Sequence, residues 1–216
     1  MMDAGNDTRQ TSLTNLMYPL AANLERQTKV CNELASTLVA ENQQSAHCIE
    51  LQKVLYLRAC LYERFCCRPP MGFGLPRRAP VGGVTIAGHY IPADTTVSSP
   101  LYNLHHDKRL FKNPTSFVPE RWLGNDQEYA ASEEERQNLK DIVMSFRLGG
   151  RARIGRNLGY MELSIVIAAL VLDFEWELAV PGSDVEIMER MNSNPKNLIV
   201  KGKAREGATF DAQMVS

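Results

Sequence analysis

The residues of this chain with chemistry to offer are five cysteines, four histidines, an Asp-Thr pair and a glycine-rich loop. Cys31, Cys48, Cys60, Cys66 and Cys67 are odd in number and form no CxxC pair. That pattern fits free thiols in a reducing compartment rather than a disulfide framework or a structural zinc site. His47, His89, His105 and His106 show no metal-ligand spacing and read as surface or structural residues. Asp7-Thr8, after Ala4-Gly5-Asn6, sets a carboxylate that exchanges protons with solvent beside a hydroxyl that both donates and accepts. The same pair suits a helix cap equally well. From Phe146 to Gly155 the chain reads FRLGGRARIG, and its glycines let the backbone turn closely beneath a bound group.

The elements that position these residues can be read from periodicity. Leu13, Leu16, Met17 and Leu20 recur at helical spacing, with Pro19 expected to end or bend that helix. A second helix is expected over about Glu25–Leu38, and a third over about Glu50–Cys67, closed by Pro69-Pro70. Short β-branched pieces between Gly and Pro, around Val84–Ile86 and Thr95–Val97, read as strands joined by tight turns. Ser132 and Glu135 form a capping box for a short helix, and the longest helix follows the glycine loop over Arg156–Asp173. Its buried stripe is expected at Leu158, Met161, Ile165, Ala168 or Ala169, and Leu172. Phe174, Trp176 and Leu178 alternate with Glu175 and Glu177 as in a strand with one apolar face, and Leu198–Val200 reads as a further strand. The class is α+β and mainly helical, as one domain over residues 1–200 with a polar tail over 201–216.

Composition narrows the functions. The chain has 216 residues, 44% hydrophobic and 23% charged, with a net charge of −1. No global field draws it to nucleic acid or an anionic membrane. The longest apolar run, Ile165–Leu172, falls far short of the roughly 20 residues that span a bilayer. No secretory signal opens the sequence.

Four segments in order resemble the cytochrome P450 family, in particular its filamentous-fungal monooxygenases of secondary metabolism. Ala4-Gly5-Asn6-Asp7-Thr8 is similar to the oxygen-activation segment of the family's central helix, which implies a proton relay through Asp7 and Thr8. Glu63 stands at the glutamate of the family's Glu-x-x-Arg, with Cys66 at the arginine position. Pro119-Glu120-Arg121-Trp122 matches the segment whose arginine joins that glutamate in a buried network, and Arg77 resembles a haem-propionate contact. The loop from Phe146 resembles the haem-binding loop, which implies cofactor contacts from Phe146, Gly149, Arg151 and Gly155. Arg153 occupies the position of the family's iron-ligating cysteine.

The resemblance implies a haem-dependent monooxygenase that hydroxylates a small lipophilic substrate with dioxygen and electrons from NADPH-cytochrome P450 reductase. It also implies the C-terminal half of the fold only, from the central helix onward. The family's location is the endoplasmic reticulum membrane, and a piece without the anchor would be cytoplasmic. An arginine cannot donate as a thiolate does. Arg153, Cys66 and the early start therefore lead to the expectation of an impaired enzyme with no iron ligand: a fragment or pseudoenzyme. Further expectations are a truncated gene model, or a small binding or regulatory piece.

Overall fold

Pro19 does not end the first helix where the sequence places the break. In this computed structural model, which describes residues 3–40, 51–124, 128–129, 132–146, 154–189 and 192–206, α1 runs Asp3–Ala21 with Pro19 inside its last turn. A proline there forfeits only the bond to the Asn15 carbonyl, and the helix stops two residues later. The Asn23 side chain then accepts from the Arg26 amide at 3.1 Å and opens α2, Leu24–Ala40.

Helix α3 spans Leu55–Cys67, and its cap comes from another element. The Glu33 carboxylate of α2 accepts from the Leu55 amide at 2.9 Å and the Tyr56 amide at 2.8 Å. A carboxylate on unpaired N-terminal amides stabilises a helix start and fixes the angle between α2 and α3. The expected start at Glu50 lies outside the described residues.

Four two-stranded antiparallel pairs follow. β1 (Arg77–Arg78) pairs with β4 (Thr96–Val97), and β2 (Val84–Ile86) forms a hairpin with β3 (His89–Ile91). Ala87 and Gly88 both take positive φ, 48° and 82°, in the tight turn between them. α4 (Leu101–His105), a 3₁₀ turn (Pro119–Trp122) and α5 (Glu133–Ile142) lead to α6 (Arg156–Asp173). The Ser132 hydroxyl caps α5 by accepting from the Glu135 amide at 3.1 Å. β5 (Phe174–Leu178) pairs with β8 (Val200–Ala204), and β6 (Glu186–Glu189) with β7 (Ser193–Lys196). Lys201–Ala204 therefore belongs to a strand, so the tail expected from residue 201 begins too early. Residues 207–216 lie outside the described residues.

The core lies among α1, α2, α3 and α6. Leu16 and Leu20 meet Val30 and Leu34, Leu57 and Leu61, and Ile167 and Val171. The expected stripe of α6 is corrected here. Leu163, Ile167, Ala168 and Val171 face the core, while Leu158, Ile165 and Ala169 are exposed. α6 is apolar on nearly every side from Ile165 to Leu172, so periodicity cannot choose its buried face; α1 and α2 do. Gln27, fully buried on α2, completes the junction with β5. Its Nε2 donates to the Trp176 carbonyl at 3.0 Å, and its Oε1 accepts from the Trp176 amide at 3.2 Å.

Candidate functional site

The buried carboxylate of Glu63 accepts four hydrogen bonds from other described residues. α3 carries it against the 3₁₀ turn, where Arg121 Nε donates to it at 2.8 Å and the Trp122 indole N–H at 2.7 Å. The Val118 amide donates at 2.8 Å and the Cys67 thiol at 3.2 Å. Arg121, equally buried, spends its remaining nitrogens on the carbonyls of Lys112 (2.7 Å) and Asn113 (3.3 Å). Burial pushes the Glu63 carboxyl upward, and Arg121 with the Val118 amide pulls it back. With four donors on two oxygens the carboxylate form is retained. Cys66, at the family's arginine position, packs with Ala59, Phe111 and Trp122, and burial raises its thiol. Trp122 and Cys67 thus supply donors to Glu63 that residue spacing alone did not single out.

A second feature is a cavity of about 410 Å³ between the β1–β4 pair and the start of the glycine loop. Leu75, Val97, Leu101 and Met144 give it apolar walls, with Arg77 and Ser145 among its polar groups. Arg77 is half-exposed, and its Nη1 donates to the Pro76 carbonyl at 2.9 Å. Gly74 forms part of the wall with φ +71°, where a Cβ would lie 1.9 Å from the Ser99 carbonyl oxygen. Only glycine fits there. An apolar slot with one cation at its wall matches a flat apolar cofactor that bears carboxylates, so the residues present fit a haem. Met144, Ser145, Leu75 and Leu101 were not singled out from sequence, although the first two directly precede Phe146.

Phe146 does not line this cavity. Its ring packs 5.0 Å from Phe65 and 5.2 Å from Tyr160, and Ser145 Oγ donates to the Phe65 carbonyl at 2.9 Å. These contacts pin the loop's entry between α3 and α6. Gly155 stands at the loop's exit, directly before α6, with open space around its Cα. Gly149, Arg151 and Arg153 lie outside the described residues. On α1, Asp7 is exposed and Thr8 half-buried, and neither belongs to the cavity wall. Arg9 ties this end of α1 to α6 by an ion pair with Glu162 at 2.8 Å. Among the described residues no group of three or more His, Cys, Asp or Glu could hold a metal ion. His105 is buried edge-on against Phe111, and His106 stacks on Tyr102 at 3.9 Å.

Comparison with known proteins accounts for this arrangement. The cytochrome P450 family model matches residues 1–201. The cytochrome P450 monooxygenase cpaH of Aspergillus oryzae is 36% identical over 181 residues, which is 84% of this chain and 34% of its own length. Trichothecene C-15 hydroxylase of Fusarium sporotrichioides is 34% identical over 180 residues, or 82% of this chain and 34% of its own. A crystal structure of a cytochrome P450 superposes with a TM-score of 0.78 at 24% identity, covering 94% of this chain and 43% of that one, a likeness of fold. The chain spans about a third of the length of the curated relatives it matches.

These findings correct several expectations. The likeness runs along nearly the whole chain and continues on both sides of residue 153. The readings of an incomplete C-terminal half, a fragment, a pseudoenzyme and an impaired enzyme are withdrawn with it. So are both expected locations, the endoplasmic reticulum membrane given by the family and the cytoplasm given by an absent anchor. No helix among the described residues is long and apolar enough to cross a membrane. On the family match over residues 1–201, joined to the shared fold, the chain belongs to the cytochrome P450 family.

Proposed function

We propose that the chain serves a haem-dependent monooxygenase, an oxidoreductase that hydroxylates a small lipophilic substrate with dioxygen and electrons from an NADPH-dependent reductase. The observation that carries this reading is the apolar cavity beside Arg77, in a chain whose family match covers it. A haem bound there supplies the oxygen-activating chemistry, and the protein supplies its placement. Arg77 would hold a propionate by charge-assisted hydrogen bonds. Leu75, Val97, Leu101 and Met144 would seat the apolar part of the group. Phe146 fixes where the glycine loop starts; by the family resemblance Gly149 and Gly155 would let the loop approach the cofactor and Arg151 would be a second propionate partner. On α1, Asp7 and Thr8 would serve as the carboxylate and the hydroxyl of a proton relay.

Haem titration of the whole chain tests the reading. Saturable uptake with one equivalent is expected, weakened about tenfold or more in Arg77→Leu, the scale of one lost charge-assisted contact. A chain that takes up no haem would sink the proposal. Product formation from lipophilic probes, dependent on NADPH and reductase, tests the activity separately.

A further inference from the structure

We infer that a polar cavity between α1 and α3, bordered by Asp184, binds a small oxyanion of the phosphate class. The cavity measures about 290 Å³, and Arg26, Arg64 and Arg68 line it with Asn15. Asn15 is 2% exposed, and neither its Nδ2 nor its Oδ1 has a hydrogen-bond partner among the described residues. Arg64 is 1% exposed, and none of its three nitrogens has such a partner either. Its guanidinium lies over the face of Phe65, 4.4 Å from the ring centroid, and also interacts with Tyr160. Arg68 Nη1 is buried and unpartnered as well. Unmet polar atoms on Asn15 and Arg68 beside one space are costly in a folded interior unless a ligand or ordered water meets them.

Charge selects the class of ligand. The acid at the cavity, Asp184, is mostly exposed, and its Oδ1 already accepts from Arg68 Nη2 at 3.0 Å and the Val185 amide at 2.7 Å. Arg26 and Arg68 set two guanidinium groups against one such carboxylate and leave the space positive. Asn15 Oδ1 adds a finer constraint, because it needs a donor. A hydrogen phosphate or a phosphate monoester offers charged acceptor oxygens and one P–OH, whereas sulfate at neutral pH offers acceptors alone. An adjoining cavity of about 300 Å³ shares Asn15, Arg68, Thr115 and Asp184 and leaves room for a group esterified to the phosphate. The site stands apart from the haem reading, and its test involves no haem signal.

Thermal melting of the whole chain at pH 7 and constant ionic strength provides the test, with inorganic phosphate, glycerol phosphate, sulfate or chloride added. A saturable rise in Tm of several degrees is expected with phosphate, clearly larger than with sulfate or chloride. A lower half-saturation for glycerol phosphate than for inorganic phosphate would identify an ester as the ligand; the reverse would identify free phosphate. Arg68→Leu should no longer respond to phosphate. Should that variant fail to fold, Asn15→Leu and ³¹P line broadening decide, with broadening expected in the parent chain and reduced at least fivefold in the variant. Equal responses to all salts, no saturable response, or an undiminished phosphate response in the variants would overturn the inference and leave ordered water as the occupant.

Discussion

At Glu63 four donors meet two oxygens, and the identity of each donor matters. Arg121 carries the charge that compensates the carboxylate, so Arg121→Leu leaves a buried anion and should cost about 3–5 kcal/mol, measured by chemical denaturation. Trp122→Phe keeps the ring and removes one donor to a charged acceptor, a loss of roughly 1.5–3 kcal/mol. Restoring the family's arginine through Cys66→Arg should not help. The lone pairs of Glu63 are already engaged, and Cys66 sits 2% exposed against Ala59 and Trp122, so the larger side chain overpacks at a cost of about 1–3 kcal/mol. His105 adds a pH dependence. Burial lowers it to about 4 from an ordinary 6.5, so it is neutral when folded while the unfolded chain binds a proton. Its contribution is present above pH 6.5 and is lost as pH falls toward 4, by up to roughly 3 kcal/mol. Denaturation at pH 4.5 and 7 should show this loss, and His105→Phe should flatten it.

At the scale of elements, two glycines should behave in opposite ways. Gly159 lies inside α6, where a Cβ would sit at an ordinary 3.7 Å from the Phe146 ring. Gly159→Ala should raise stability by about 0.5–1 kcal/mol, read from Tm. Gly74→Ala places a methyl group against the Ser99 backbone at positive φ and should cost well over 1 kcal/mol and disturb the cavity wall. The sequence made legible those elements whose signals are local. Ser132 caps α5, Trp176 and Leu178 turn inward on β5, and Pro69-Pro70 closes α3. It could not show the Glu33 cap on α3, which requires α2 and α3 to be side by side. β6 and β7 went unseen because Pro195 and Asn194 are poor strand residues, tolerated in a two-stranded pair with open edges. The site divides in the same way. Arg77 was legible, whereas Leu75, Leu101 and Met144 became wall residues only when separate segments met.

For the whole molecule, the unburied face of α6 governs solution behaviour. Leu158 is 52% exposed, Ile165 39% and Val166 40%, and together they make an apolar strip of the kind that drives association. Ile165→Lys should lower light scattering at high concentration while changing stability by less than about 0.5 kcal/mol. The contact of Gln27 with Trp176 works in the other direction. A side-chain amide carries the same donor and acceptor as a peptide bond, and here it takes the place of a neighbouring strand at one position of β5. The helix α2 thereby masks the point where another chain's backbone would dock. Without Gln27, as in Gln27→Leu, the Trp176 amide and carbonyl are left bare on the outer side of β5. The two-stranded pair then becomes a template on which further strands can add.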